Sequence, residues 1–249
     1  MSLRIEPDGI DLKSYLAHPA GGVAGNGLVL CHGFPQASRE AASAGLRYAE
    51  MADRIAAQAA MTVLTFNFRG TAQSEGDFSL GGWCSDLRAA IAHLRTIGVE
   101  KVWLAGFGAG ASLCLQIAGS DQSVSGVVSL SARAHFDDWV ENWQGLLMHA
   151  LDFGMIRNPD FPSDPEAWVG EIRAIRPVSA VPKIPPRPLL IIHGADDERV
   201  PVSDARELAA AAGGRADLRI IPGAGHRLRH DPRVIALLLG WLDSQRWSP

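Results

Sequence analysis

The hydrophobic positions of the chain change period as they run, and the changes lay out its elements. Residues 2–18 alternate around a turn at Asp8-Gly9, which predicts an opening antiparallel pair at a sheet edge. Gly27-Leu28-Val29-Leu30-Cys31 is a continuous apolar run stopped by His32-Gly33-Phe34-Pro35, the pattern of a strand buried on both faces. From Arg39 to Ala60 the apolar residues Leu46, Ala49, Met51, Ile55 and Ala59 fall at helical spacing, and Met61 to Phe66 returns to strand-forming types. Trp83, Leu87, Ile91 and Leu94 recur every three or four residues and predict a second helix. Lys101 to Ala105 then reads as a strand entering a glycine turn, Ala109 to Ala118 as the helix leaving it, and Ser125 to Leu130 as the next strand.

Between about residues 131 and 182 the alternation breaks. This stretch holds Trp139, Trp143, Trp168, Leu146, Leu147 and Met148, with turns at Asn158-Pro159 and Asp164-Pro165. Disordered segments are poor in aromatics, so a helical insertion is expected. Pro182 to Pro188 carries four prolines and reads as a stiff connector. The alternation resumes with a strand over Pro188–Gly194, a helix over Asp204–Ala212, a strand over Leu218–Ile221, a loop ending at His226 and a closing helix over Pro232–Gln245. Such an order predicts an α/β fold, a mostly parallel sheet with helices on both faces. Ligands then bind at the carboxyl ends of the strands, where four polar or glycine-rich clusters fall: 32–35, 106–110, 196–197 and the loop to His226.

The 249 residues suffice for one core, so residues 1–249 are expected to form a single domain with a cap inserted at about 131–182. A formal charge of −4 without a basic run implies neither nucleic acid nor an anionic membrane as partner, and leaves a small molecule as the expected one. No apolar run reaches membrane-spanning length, and residues 1–20 carry Glu6, Asp8 and Asp11, so a cytoplasmic location is expected. Cys31, Cys84 and Cys114 make no C-x-x-C pair and are expected to be reduced core thiols. His32 and His193 precede glycines at strand ends without a third ligand, so no metal or other cofactor is expected. Composition and patterning leave the oligomeric state open.

The turn Gly106-Phe107-Gly108-Ala109-Gly110-Ala111 admits two chemistries. Gly106, Gly108 and Ala111 satisfy G-x-G-x-x-A, a dinucleotide-binding pattern. That reading needs the first strand–helix turn and an acidic residue about twenty positions on, and neither condition is met. Gly106 and Gly110 also match the flanks of G-x-S-x-G, the nucleophile elbow, with glycine where serine is expected.

His32-Gly33-Phe34-Pro35, Phe66-Asn67-Phe68-Arg69-Gly70 with Ser74-Glu75-Gly76, the elbow, His193-Gly194-Ala195-Asp196-Asp197-Glu198-Arg199-Val200-Pro201 and Pro222-Gly223-Ala224-Gly225-His226 follow one another in the order of the α/β-hydrolase family. On these motifs the chain resembles the small cytoplasmic serine hydrolases of that family over nearly its whole length. The resemblance implies an α/β-hydrolase fold with a small helical cap. It places the family's acid on Asp197, its histidine on His226, its nucleophile at Gly108 and its oxyanion-binding N–H groups on Phe34 and Ala109. The spacing to Val200-Pro201 favours Asp197 over Asp196, and His230 stands beside Asp231-Pro232 at a helix start. Asp137-Asp138 reads as the acidic first turn of a helix. Ser112 falls one turn up the helix and reads as a packed helix serine, and Cys114, farther up that helix, and Cys31, inside a strand, do not reach the turn in any simple geometry, so no residue is found to replace the serine. The resemblance therefore implies a protein acting on a small ester-like or other carbonyl compound, either without serine or as a degenerate relative with little ordinary esterase activity, or a non-catalytic small-ligand-binding protein on the same fold.

Overall fold

The computed structural model describes residues 2–35 and 38–245, the side chains of residue 2 and of 38–47 aside. Leu46, part of the expected stripe of the first helix, is among the side chains outside that description. The strands are β1 (Ser2–Ile5), β2 (Leu12–Ala17), β3 (Asn26–Cys31), β4 (Thr62–Phe66), β5 (Lys101–Phe107), β6 (Val124–Leu130), β7 (Leu189–Gly194) and β8 (Asp217–Ile221). Among the described residues they form one eight-stranded sheet in the order β1-β2-β4-β3-β5-β6-β7-β8. β2 runs antiparallel to β1 and β4, and every other pairing is parallel.

The apolar runs are continuous because both faces of the sheet are covered. Leu28 and Leu30 of β3 point to the side packed by α1 (Ser38–Ala59) and α9 (Pro232–Gln245), with Ile55, Val234 and Leu238. Val29 and Cys31 point to the side packed by α2 (Leu80–Thr96), α3 (Ala109–Ser120) and α8 (Val202–Ala211), with Leu87, Leu113 and Leu208. β8 closes one edge and is only half covered; Arg219 pairs with Asp217 along it at 3.0 Å, and charges of this kind discourage a further strand from adding. Cys31, Cys84 and Cys114 are free and buried, and burial pushes the Cys84 thiol up to about 12. No described helix is long and apolar enough to cross a membrane.

One expected boundary moves. β5 does not stop at Ala105 but runs to Phe107, because Gly106 pairs with Cys31 and Ser129 and Phe107 with Leu130. Gly106 is thus a paired position of a central strand rather than the start of a loop.

Between β6 and β7 lie α4 (Asp137–Glu141), α5 (Trp143–Asp152), α6 (Pro165–Ala174) and α7 (Pro177–Ala180). Asp164 caps α6, its carboxylate accepting from the Ala167 N–H at 3.0 Å, with Pro165 in the first turn where its missing N–H costs nothing. α7 returns to pack on α3 and α8. The proline-rich run that follows is anchored rather than merely stiff. Ile184 is buried, and Arg187 donates to the carbonyls of Ala118, Asp121 and Val124 at 2.8, 3.0 and 3.0 Å.

The loop after β4 is fixed from below. Asp86, fully buried on α2, accepts from the Arg69 N–H at 2.8 Å and from its guanidinium at 2.7 and 2.9 Å. Burial pushes the Asp86 carboxyl up even against this pairing. Ser74 donates to the Asn67 carbonyl at 2.7 Å and accepts from the Lys13 N–H at 3.0 Å. Gly70 has φ +77°, and a Cβ there would lie 2.2 Å from the Met155 carbonyl, so only glycine lets this loop meet the segment after α5.

Candidate active site

The turn between β5 and α3 needs its flanking glycines for room. A Cβ on Gly106 would stand 2.7 Å from the Ala111 nitrogen, and one on Gly110 would stand 2.2 Å from the His32 carbonyl oxygen. Gly108 is a different case. It has φ +53° and ψ −125° at the N-terminus of α3, a backbone conformation that strains any other residue, yet a Cβ there would meet nothing closer than His226 Nε2 at 3.4 Å. The nearest neighbour of a side chain begun at position 108 would therefore be an imidazole nitrogen. The Gly108 N–H is tied to the Leu130 carbonyl at 2.8 Å, and Ala109 N–H heads α3, where a helix supplies no acceptor of its own.

Beside this turn runs the loop leaving β3. The buried His32 ring donates from Nδ1 to the Gly33 carbonyl at 2.7 Å and accepts at Nε2 from the Phe68 N–H at 3.1 Å, which fixes it as a neutral tautomer bridging two loops. Burial lowers its pKa to about 4, against the opposing pull of the Gly33 carbonyl. Gly33 passes so close to the elbow that a Cβ would lie 3.0 Å from the Phe107 carbonyl. Phe34 follows, its ring packed against Phe78, Trp139 and His149 at centroid distances of 5.1, 4.9 and 5.2 Å, and His149 Nε2 lies 3.0 Å from the Pro35 carbonyl. α4 and α5 thus hold the loop that carries Phe34.

The loops after β7 and β8 meet because Gly194 has no side chain: a Cβ would stand 2.2 Å from the Ala224 carbonyl. Ala195 and Asp196 donate their N–H groups to Ile221 and Ala224, both at 3.0 Å, and the two loops run together. His226 Nδ1 then lies 2.9 and 3.1 Å from the carboxylate oxygens of Asp197, whose side chain is fully buried. One of these oxygens also accepts from the N–H groups of Arg199 and Val200, both at 3.0 Å. Burial alone would raise the Asp197 pKa, but the hydrogen bonds from His226 and from the Val200 and Arg199 backbone outweigh it and hold it at about 2. A carboxylate so held accepts only, so Nδ1 donates to it and Nε2 is the ring nitrogen that faces position 108. His193 donates to the Val200 carbonyl at 2.9 Å and holds the acid's loop from behind.

Gly108, Ala109, Phe34 and His226 line one cavity of about 230 Å³, together with Arg133, Trp139, Arg199 and Val200. Asp197 sits behind its wall. Asp196 and His230 are exposed and outside it. Ser112 is buried with its hydroxyl engaged by Arg133, accepting from the N–H at 2.9 Å and 3.2 Å from the carbonyl. Of the tryptophans, Trp139 lines the cavity, Trp143 lies on a separate groove beside α6, and Trp168 is buried with its indole N–H on the Phe78 carbonyl at 3.2 Å. Asp137 and Asp138 do more than supply charge to a first turn: Asp137 pairs with Arg176 at 2.9 Å and Asp138 with Arg133 at 2.6 Å. Arg133 and Arg199 are lining residues that sequence reasoning passed over. The one available signal was position, since each follows closely on the carboxyl end of a central strand.

The fold and this edge define a class: an eight-stranded, mostly parallel α/β protein with an acid–histidine pair facing a glycine elbow. A model of the alpha/beta hydrolase family matches residues 28–236, and the chain belongs to that family. Among solved structures, Est1E from Butyrivibrio proteoclasticus superposes with a TM-score of 0.72 at 20% identity, covering 98% of this chain and 97% of that one. The Pyrococcus furiosus esterase Pf2001 gives 0.72 at 16% identity over 100% and 91%. XC6422 from Xanthomonas campestris, described as an a/b serine hydrolase without lid, gives 0.65 at 24% identity over 100% and 95%. At these identities the likeness is one of fold. No curated protein matches the chain in sequence.

Proposed function

We propose that this protein hydrolyses a small ester-like carbonyl compound by direct attack of water, with Gly108 at the position where serine hydrolases carry their nucleophile. The observation behind this reading is the aim of the dyad: His226, oriented by Asp197, presents Nε2 3.4 Å from where a side chain at 108 would begin. Glycine cannot form an acyl intermediate, while the base and its orienting acid remain in contact.

In the proposed reaction the substrate carbonyl lies against the Phe34 and Ala109 N–H groups, which belong to backbone and need no particular side chain. His226 Nε2 takes a proton from a water beside Gly108, and the water oxygen bonds to the carbonyl carbon. The resulting oxyanion is held by the two N–H groups. The C–O bond to the leaving group then breaks, the electron pair leaves with the alkoxide, and the imidazolium returns its proton there, giving acid and alcohol. Asp197 keeps the ring in the required tautomer and stabilises its charged form. Resemblance to proteins named as esterases supports the choice of an ester.

A panel of short-chain esters, assayed with the unsubstituted chain and with His226→Ala, tests the proposal. Loss of general-base catalysis lowers turnover by roughly 10²–10⁴-fold. Turnover that survives the substitution contradicts the mechanism. Esters that bind and are never converted would make the protein a ligand-binding member of the family instead.

A further inference from the structure

We infer that the cavity takes a substrate bearing a carboxylate, held by Arg133 and Arg199 beside the reacting carbonyl; this rests on the hydrolytic reading of the same site. Both guanidinium residues line the cavity, and among the described residues that line it there is no Asp or Glu. Asp138, 57% exposed, pairs with Arg133 at 2.6 Å from outside the lining, and Glu198, 66% exposed, lies 3.8 Å from Arg199. The described lining thus offers two arginines and no acid to whatever enters.

Arg133 is also held as a recognition residue must be. Its backbone is gripped on both sides by the buried Ser112 hydroxyl at 2.9 and 3.2 Å, and the next N–H, of Ala134, donates to the buried Asp204 carboxylate at 3.0 Å. Its guanidinium lies 5.4 Å from the centre of the Trp139 ring, and its side chain is only 18% exposed. Ser131, two residues earlier, takes φ +51°, a conformation strained for a non-glycine residue that occurs where a segment is forced into place. Arg199 is tied to the dyad itself, its N–H on Asp197. The cavity's 230 Å³ is below the range of drug-sized pockets, roughly 300–1,000 Å³, which limits the ligand to a short chain. A short half-ester of a dicarboxylic acid combines the required groups: a carbonyl for the elbow, a carboxylate for the arginines, and little else.

Monomethyl succinate and dimethyl succinate are matched probes that differ in that charge. Calorimetry on His226→Ala protein reads binding without turnover. The half-ester is expected to bind at least about tenfold more tightly than the diester, the size of one charge-assisted hydrogen bond, and to lose that advantage between about 50 and 500 mM NaCl. Adding Arg133→Gln or Arg199→Gln brings the ratio of the two affinities toward one, and Arg133→Lys restores part of it; thermal melting shows each variant to be folded. Equal affinities, a preference insensitive to salt, or a preference that survives both glutamine substitutions would overturn the inference. So would tighter binding of inorganic phosphate than of the half-ester. The two readings separate cleanly: esters hydrolysed without charge preference overturn only this inference, and half-ester bound selectively but never hydrolysed overturns only the hydrolytic one.

Discussion

Gly108→Ser changes the chemistry of the site by one hydroxymethyl group, and the geometry gives both its cost and its gain. Position 108 has φ +53°, and holding a non-glycine residue there costs about 1–3 kcal/mol. For a domain of this length each kcal/mol shifts the melting temperature by roughly 2–4 °C, so the variant should melt about 2–12 °C lower. Space imposes no further penalty, because the nearest atom to the new Cβ is His226 Nε2 at 3.4 Å, an ordinary contact. The serine oxygen, one bond beyond that Cβ, is expected within hydrogen-bonding reach of Nε2. The expected gain is covalent chemistry. With p-nitrophenyl acetate, stopped-flow absorbance should show a burst of nitrophenolate stoichiometric with protein, and mass spectrometry an acetyl group on residue 108. Gly108→Ala carries the same backbone strain without the hydroxyl, so it should melt like the serine variant and show no burst. A serine variant that melts as expected yet neither bursts nor acylates would refute the geometry assigned to the base and the elbow.

Other outcomes follow from the surroundings. His32 is neutral and buried with a pKa near 4, whereas the unfolded chain takes up this proton near 6.5. Its contribution is therefore full above about pH 6.5 and falls by about 3 kcal/mol as pH drops to about 4; urea unfolding at pH 7, 5 and 4 should show that slope, and His32→Gln should flatten it. Asp197, held near 2, acts further down: the stability it contributes is present above about pH 4 and is lost, about 2 kcal/mol in all, as pH falls through 2. Asp197→Asn should lower ester turnover by roughly 10³–10⁴-fold through the wrong imidazole tautomer; a loss under tenfold would disconnect the acid from the base. Arg69→Met leaves the Asp86 carboxyl buried without its partner and should cost about 3–5 kcal/mol in chemical unfolding. Gly110→Ala drives a methyl into the His32 carbonyl and should destabilise by at least about 1–3 kcal/mol, whereas Gly170→Ala, on α6 with nothing within 4 Å, should not lower stability.

The sheet was legible because its central strands are buried on both faces and so read as unbroken apolar runs, Leu28–Cys31 and Leu189–Ile192 among them. Strand ends were less so, since Gly106 looks like a turn residue until its partners Cys31 and Ser129 are known. Of the site, the spacing before Val200-Pro201 singled out Asp197 rather than Asp196, and Asp197 is the carboxylate in contact with His226. The elbow motif marked position 108 as the one that bears a side chain in the family, but the physical reason was not legible: local sequence does not show that Gly110 abuts a carbonyl from β3's loop while Gly108 faces an imidazole. Arg133 escaped notice for a similar reason. Its grip comes from Ser112 and Asp204, 21 residues before it and 70 after Ala134, and no local period records contacts at such separations.

The most direct test of a reaction without an acyl intermediate is the mass of the intact, unsubstituted chain, acid-quenched while it turns over a slow short-chain ester. The expected result is many product molecules per protein with the mass unchanged throughout. An acyl adduct on any residue, or no product at all, would contradict the account.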